Sequence, residues 1–349
     1  MERQRRGRES WGWTMAVWQQ AAAMGLVLCV AMLLLPGVLV RQMEESETLS
    51  PTPAVPVVRG NRDRGRAVRL MRADGTVEEL TMGEYLWGVV AAEMPASFEQ
   101  EALKAQAVAA RTYTVGLQNS ASPKHADAHL CDNSACCQAY IDRPSAQARW
   151  GLQAEELSEK ITRAVEETDG LGVLYDGQPI QAVFFSSAAG KTVDAVEVWG
   201  SAVSYLCSVD SPEGEEVPNW RSQAAFTPEE AKALILAQYP GVDLSTGPES
   251  WFGAPMLAEG GSVSQITVGG VTLTGAQVRS LFSLRSATFT VAYQGGKFVF
   301  DVTGYGHGVG MSQYGANTLA GQGKTWQEIL HWYYTDVSID AWTPQDYTK

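Results

Sequence analysis

The sequence predicts an α+β fold of antiparallel hairpins packed with helices, preceded by one transmembrane helix. Three observations carry this. Residues 21–40 hold no charged side chain. Four turn dipeptides, Asp74-Gly75, Asp176-Gly177, Gly269-Gly270 and Gly295-Gly296, each stand between strand-like runs. Hairpins outnumber strand–helix–strand units, which excludes a parallel doubly wound sheet.

The uncharged run is long enough for a helix that crosses a bilayer, which takes roughly 20 residues. Arg3, Arg5, Arg6 and Arg8 precede it, and Glu44, Glu45 and Glu47 follow it. Positive flanks stay cytoplasmic, so the bulk of the chain is expected outside. No small-residue cleavage motif follows promptly, which favours an anchor over a removed signal peptide. The expected organisation is a cytoplasmic basic tail (1–20), an anchor (21–40) and a linker (41–66) with Pro51, Pro53 and Pro56. An extracytoplasmic domain (67–340) follows, with room for two subdomains.

The elements of that domain are predicted in order. Ala67–Arg72 and Thr76–Leu80 form the first hairpin. Thr81 with Glu84 makes a capping box for a helix that stops before Pro95. Ser97 with Gln100 suggests a second capping box, opening an Ala-rich helix to about Leu117. A helix over Gln153 to Glu167 ends at Gly170. Gly172–Tyr175 and Pro179–Phe185 form a hairpin, and Glu213–Asn219 reads as exposed loop. Thr227-Pro228 opens a helix with proline in its first turn. Val263–Val268 pairs with Val271–Leu273, and a further hairpin straddles Gly295-Gly296. Helices over Met311 to Leu319 and Thr325 to Tyr334 close the domain.

Charge narrows the partners. The formal net charge is −13; residues 1–41 carry +3, so residues 42–349 carry −16. Nucleic acid and other polyphosphates need clustered Lys and Arg and are excluded as main partners. An uncharged or cationic polymer, or a protein, fits better.

Three places could carry chemistry. Gly304 to Gly315 packs five glycines among Tyr305, His307, Ser312, Gln313 and Tyr314. Such a backbone permits close approach of a ligand. Ser312 lacks a nucleophile-elbow context and an acid to complete a triad, which argues against nucleophilic hydrolysis as its chemistry. Glu93 closes a short apolar helix, where the helix dipole and apolar surroundings both raise a carboxyl pKa. A protonated carboxyl near neutral pH is what glycosidic cleavage needs as its general acid. On the next helix Lys104 and Arg111 are seven apart and share a face; they could pair with Glu93 or bind substrate oxygens. Finally, His125, His129, Cys131, Cys136 and Cys137 crowd into thirteen positions. Zinc takes four tetrahedral N or S ligands. His125, Cys131 and Cys137 are expected to bind, with Cys136 or His129 fourth, in a structural and not a catalytic site.

Several segments together resemble one family. Ala92-Glu93-Met94-Pro95, Glu101 to Tyr113, Cys137-Gln138-Ala139-Tyr140 and Gly306 to Asn317 are similar to ordered blocks of the stage II sporulation protein D family. The resemblance spans about Val68 to Ile339. It implies a membrane-anchored lytic transglycosylase of sporulating bacteria, which cuts peptidoglycan between MurNAc and GlcNAc and leaves a 1,6-anhydro end. It implies strands already stripped of peptides by the amidase stage II sporulation protein P, with stage II sporulation protein M as third partner. It places the catalytic glutamate on Glu93 and substrate handling on Lys104, Arg111, Tyr205 and His307. Some members hold zinc just before the Cys-Gln-Ala-Tyr block; here Cys136 stands where they tend to have His. The glycine loop then reads as the wall that receives the sugar, with His307, Gln313 and Tyr314 offering bonds to it. Two rivals compete: a non-catalytic glycan-binding scaffold that recruits and activates an amidase, and a zinc-dependent hydrolase.

Overall fold

The computed structural model describes residues 62–120 and 124–341. The expected anchor at 21–40 and most of the linker lie outside the described residues. Among the described residues, no helix is long and apolar enough to cross a membrane.

Strands β1 (Ala67–Met71) and β2 (Val77–Thr81) form the expected first hairpin. Helix α1 (Met82–Glu93) starts at the Thr81–Glu84 capping box, with both reciprocal bonds made. Helix α2 (Gln100–Gln118) has Glu99 as its cap residue and no side-chain cap. The expected Ser97–Gln100 box is not formed. Instead Asn317 Oδ1, far along the chain, accepts from Glu99 N at 2.8 Å. Strand β3 (Leu130–Cys131) pairs in parallel with β1.

A helix missed in the sequence, α3 (Arg143–Trp150), is capped by Asp142 and carries proline in its first turn. Gly151 at φ +57 breaks it from α4 (Ala154–Glu166). Strands β4 (Leu171–Tyr175) and β5 (Gln178–Pro179) make the Asp176-Gly177 hairpin. Its second arm is shorter than expected. The chain leaves that sheet, and β6 (Phe184–Phe185) takes a new partner near the carboxyl end.

After the short helix α5 (Ala195–Trp199), a second lobe begins at β7 (Arg221–Phe226). It holds α6 (Pro228–Gln238), capped by Thr227 and Glu230, then β8 (Met256–Leu257), β9 (Val263–Val268) and β10 (Val271–Thr274). Helix α7 (Gly275–Leu281), β11 (Phe289–Gln294) and β12 (Lys297–Thr303) complete it. The two diglycine hairpins form as expected: Gly269, Gly270, Gly295 and Gly296 all have positive φ. A ring cluster of Phe226, Phe252, Phe282, Phe298 and Phe300 fills this lobe.

The chain then returns to the first core through β13 (Met311–Ser312), α8 (Gln313–Gly321), α9 (Trp326–Tyr333) and β14 (Ser338–Ala341). The sheets are small and separate, and β1–β3 and β6–β13 are parallel pairs within an otherwise antiparallel set.

Helix α2 is the hub. Ala102, Ala105, Ala107, Ala109 and Ala110 are fully buried, as are Leu103, Val108 and Val115. Gln106, Arg111, Thr112 and Thr114 are buried with them, so most of the helix lies inside the core. Its alanines let α1, α4, α8, α9 and β4 approach closely from different sides. That packing brings the carboxyl end of α1 and the amino end of α8 to one place.

Candidate functional site

Glu93 is the last residue of α1. Met94 caps the helix through Val90 O, and Pro95 prevents its continuation. The carboxyl is half-buried, with no basic residue in the last helical turn. Ala139 N donates to Glu93 Oε1 at 2.6 Å. Burial pushes Glu93 above the ordinary glutamate range, and the Ala139 N–H and the Gln313 side-chain amide pull it back part of the way. The burial effect is the largest of these, so the acid form persists to higher pH than in a solvated glutamate.

Gln313 opens α8 and is 6% exposed. Its amide acts on the Glu93 carboxyl, yet Nε2 has no hydrogen-bond partner of ordinary geometry. An unsatisfied buried donor costs about 1–3 kcal/mol, so native proteins keep few of them. Here the donor lies beside the candidate acid, where a sugar oxygen or the ionised carboxylate could take it. Tyr314 points elsewhere: its ring meets Phe98 edge-on at 4.9 Å between centroids.

The Ala139 donor arrives on the segment Cys137–Ile141. Gln138 anchors it, donating from Nε2 to Tyr85 Oη at 3.1 Å and to Thr114 Oγ1 at 3.0 Å. Ile141 N donates to Gly88 O at 3.2 Å. Gly88, in the middle of α1, makes that crossing possible. A Cβ there would lie 2.3 Å from Tyr140 and 2.6 Å from Ile141 O. Glycine in the middle of a helix was the signal in the sequence for this approach, and Ala139 was missed because its donor is a backbone N–H that any residue supplies.

One residue before Gln138 lies the candidate metal centre. The ligand atoms of His125, Cys131, Cys136 and Cys137 all lie within 4.8 Å of one another. His125 Nε2 is 3.5 Å from Cys137 Sγ and 3.8 Å from Cys136 Sγ, and the two sulfurs are 3.9 Å apart. A tetrahedral zinc with Zn–S of about 2.3 Å sets its sulfurs about 3.8 Å apart. The donor set and its spacing therefore fit zinc. The three cysteines of the cluster are free thiols, as is Cys207. Cys136 stands in this cluster and His129 does not: His129 Nδ1 accepts from Arg69 N at 2.9 Å and faces Gln118 Nε2 at 3.2 Å.

The glycine loop does not present an open wall. Gly304, Gly306 and Gly310 have positive φ, and a Cβ on them would strike Ser187 O, Phe185 Cβ and Val183 O at 2.7, 2.6 and 2.2 Å. The close approach these glycines permit is to the protein's own strand β6 and its flanks.

A family model described as stage II sporulation protein matches residues 72–175, which include Glu93 and the His/Cys cluster. Stage II sporulation protein D of Bacillus subtilis (strain 168) is 36% identical over 329 residues, covering 90% of this chain and 93% of that protein. The chain belongs to the stage II sporulation protein D family. The protein of the same name from Bacillus amyloliquefaciens is 36% identical over 327 residues, 89% of this chain and 93% of that protein. The amidase enhancer of Bacillus subtilis (strain 168) is 26% identical over 306 residues, 74% of this chain but 40% of that protein.

The residues that family resemblance assigned to substrate handling are placed differently from Glu93. Arg111 is 1% exposed. It pairs with Asp63 at 2.7 Å and also donates to Leu171 O and Val165 O, so its guanidinium faces the core and is not presented to a ligand. Lys104 shares that face of α2, as expected, and is paired with Glu101 at 2.6 Å and Glu167 at 2.7 Å. Both cations are therefore structural partners and neither reaches Glu93. Tyr205 accepts from Gln181 N at 3.1 Å and leans on the Tyr175 ring. His307 uses both ring nitrogens internally: Nε2 bonds Phe184 O at 3.0 Å and Nδ1 accepts from Val309 N at 3.2 Å. These partners fix the neutral tautomer with the proton on Nε2, and burial holds the ring's pKa down to about 4. The imidazole ties the loop to β6 and has no free nitrogen for a sugar hydroxyl.

Proposed function

We propose that this protein is a lytic transglycosylase that cleaves peptidoglycan glycan strands in sporulation, with Glu93 as its acid and base. The observation that carries the reading is the half-buried Glu93 carboxyl, raised in pKa, with two amide groups turned toward it and no second carboxylate among the groups described around it. Ordinary glycosidases need two carboxylates and a water. A single acid suffices if the sugar supplies its own nucleophile. Protonated Glu93 gives its proton to the glycosidic oxygen between MurNAc and GlcNAc as that bond breaks. Positive charge develops at C1. The Glu93 carboxylate then takes the proton of the C6 hydroxyl while O6 bonds to C1, closing the 1,6-anhydro ring. The carboxyl ends in the form in which it began. Gln313 Nε2 and Ala139 N–H hold the carboxylate in the interval.

His125, Cys131, Cys136 and Cys137 would hold a structural zinc. Through these residues it would tie β3 to the Cys137–Ile141 segment that carries the Ala139 donor, a structural role apart from the bond cleavage. Residues 21–40 would anchor the protein in the membrane with the domain outside. The stage II sporulation proteins P and M would be its partners in engulfment, with the amidase supplying peptide-stripped strands.

The matched amidase enhancer favours a second reading, a glycan-binding scaffold that recruits and activates an amidase. Purified glycan strands separate the two. Wild type should release 1,6-anhydro ends, and Glu93→Gln should still bind strands but release none. Reducing ends formed with water would refute the transglycosylase, and full biological activity of Glu93→Gln would establish the scaffold.

A further inference from the structure

We propose that Glu213 is a positioning residue of the Glu93 site, clamping Ser312 and thereby holding the adjacent Gln313 amide toward the Glu93 carboxyl. The inference rests on the reading of Glu93 as the acid.

Glu213 stands in a stretch expected to be exposed loop. Gly214, Glu215 and Glu216 do reach solvent, but Glu213 is 4% exposed. A buried carboxylate is tolerated only when its oxygens are bonded. Here Oε1 accepts from Ala188 N at 2.6 Å and from the Ser312 hydroxyl in a short bond. Oε2 accepts from Ser211 Oγ at 2.6 Å, and that hydroxyl is 2.8 Å from Tyr333 Oη. The carboxylate so joins the loop after β6, its own turn, the start of α8 and the end of α9. No Lys or Arg is among these partners; three neutral donors hold the charge.

The surrounding chain is shaped for that carboxylate. A Cβ on Gly315 would lie 2.5 Å from Glu213 Oε2 and 2.0 Å from Tyr333 Oη. Ser312 carries two loads: its hydroxyl donates a hydrogen bond to Glu213 and, as cap of α8, accepts from Gly315 N at 3.2 Å. Its orientation fixes the first turn of α8. Gln313 is the first residue of that turn, so its buried Nε2, which lacks a hydrogen-bond partner of ordinary geometry, is carried on a backbone that the cap positions. A buried charge adds little net stability over an apolar filling, and its best-attested use is to fix one arrangement. The arrangement fixed here is the Gln313 donor.

The test uses the full chain and glycan strands. Glu213→Gln keeps the shape and removes the charge. It is expected to lower kcat about tenfold with KM within about twofold, as for a misplaced group that acts at the reacting atoms. Gln313→Leu should give a similar loss, and the double variant should be no slower than the slower single, since both act through one donor. Unchanged kcat in Glu213→Gln, or losses that multiply in the double variant, would overturn the proposal. If Glu213→Gln does not fold, Ser312→Ala, which removes one arm of the clamp, is read by the same criteria. If the wild type releases no anhydro ends, the Glu93 reading has failed instead. The clamp is then judged without turnover from the NMR signals of the Gln313 side-chain amide. These should move in Glu213→Gln, and unmoved signals overturn it.

Discussion

The backbone N–H of Ala139 reaches the carboxylate oxygen of Glu93 at 2.6 Å, across 46 positions of sequence. One of these residues ends a helix and the other lies two positions after a candidate metal ligand. Their contact makes the acid's environment depend on how the Cys137–Ile141 segment is held.

Gly88→Ala tests that dependence. Alanine improves an exposed helix interior by up to about 1 kcal/mol over glycine. At Gly88 the new methyl would sit 2.3 Å from the Tyr140 ring and 2.6 Å from a carbonyl oxygen. Overpacking of this kind costs typically about 1–3 kcal/mol, and a carbonyl cannot rotate away. The variant should melt at lower temperature and lose cleavage beyond its loss of folded protein. A higher melting temperature would refute the crossing.

The raised pKa of Glu93 has two consequences for pH. Cleavage needs the protonated form, so activity should persist above pH 4.5, the ordinary Glu value, and fall as pH rises through the raised pKa. Stability moves the same way. Between 4.5 and the raised value the folded protein binds more protons than the unfolded chain, so Glu93 makes stability decline with rising pH. Glu93→Gln removes that slope. Denaturant midpoints of the two proteins should draw apart in favour of the variant as pH climbs from about 4.5, the ordinary carboxyl range. Parallel curves would show the carboxyl to be unperturbed.

Metal content discriminates the ligands. Purified under reducing conditions with zinc, the wild type should hold one zinc per chain by elemental analysis. His129→Ala should retain it, because His129 bonds Arg69 N and lies outside the cluster. Cys136→Ala should bind more weakly, by on the order of 10–100-fold or more. Chelation should lower the melting temperature, with cleavage lost only as far as the 137–141 segment loosens. Equal retention by the Cys136 and His129 variants would refute the assignment.

Arg111→Met should behave as a folding mutation. It leaves Asp63 buried without its cation, a change that costs about 3–5 kcal/mol in comparable pairs. Glycan affinity per folded molecule should match that of wild type. A selective loss of affinity with unchanged urea stability would return Arg111 to the binding surface.

Much of the fold was legible in local sequence because local chemistry dictates it. Thr81–Glu84, Thr227–Glu230 and Thr325–Glu328 all close as capping boxes, and both diglycine turns adopt positive φ. Ser97–Gln100 carries the same signature and fails, because Asn317 offers Glu99 a partner that no local pattern shows. The short strands β6 and β13 were illegible for a similar reason, each being two residues long and defined only by the other.

The sequence by itself determined the family, the hairpins, the capped helices, Glu93 as candidate acid and His125, Cys131 and Cys137 as candidate ligands, with Cys136 or His129 as the fourth. Those follow from residue type and spacing, which act over a few positions. Tertiary structure alone decided which side chains face which. It sent Arg111 and Lys104 to acidic partners, turned the glycine loop onto β6, chose Cys136 over His129 and buried Glu213. The physical reason is that a polar side chain takes the partner that burial leaves within reach. For Arg111, Lys104 and Glu213 such a partner lies tens of positions or more away along the chain.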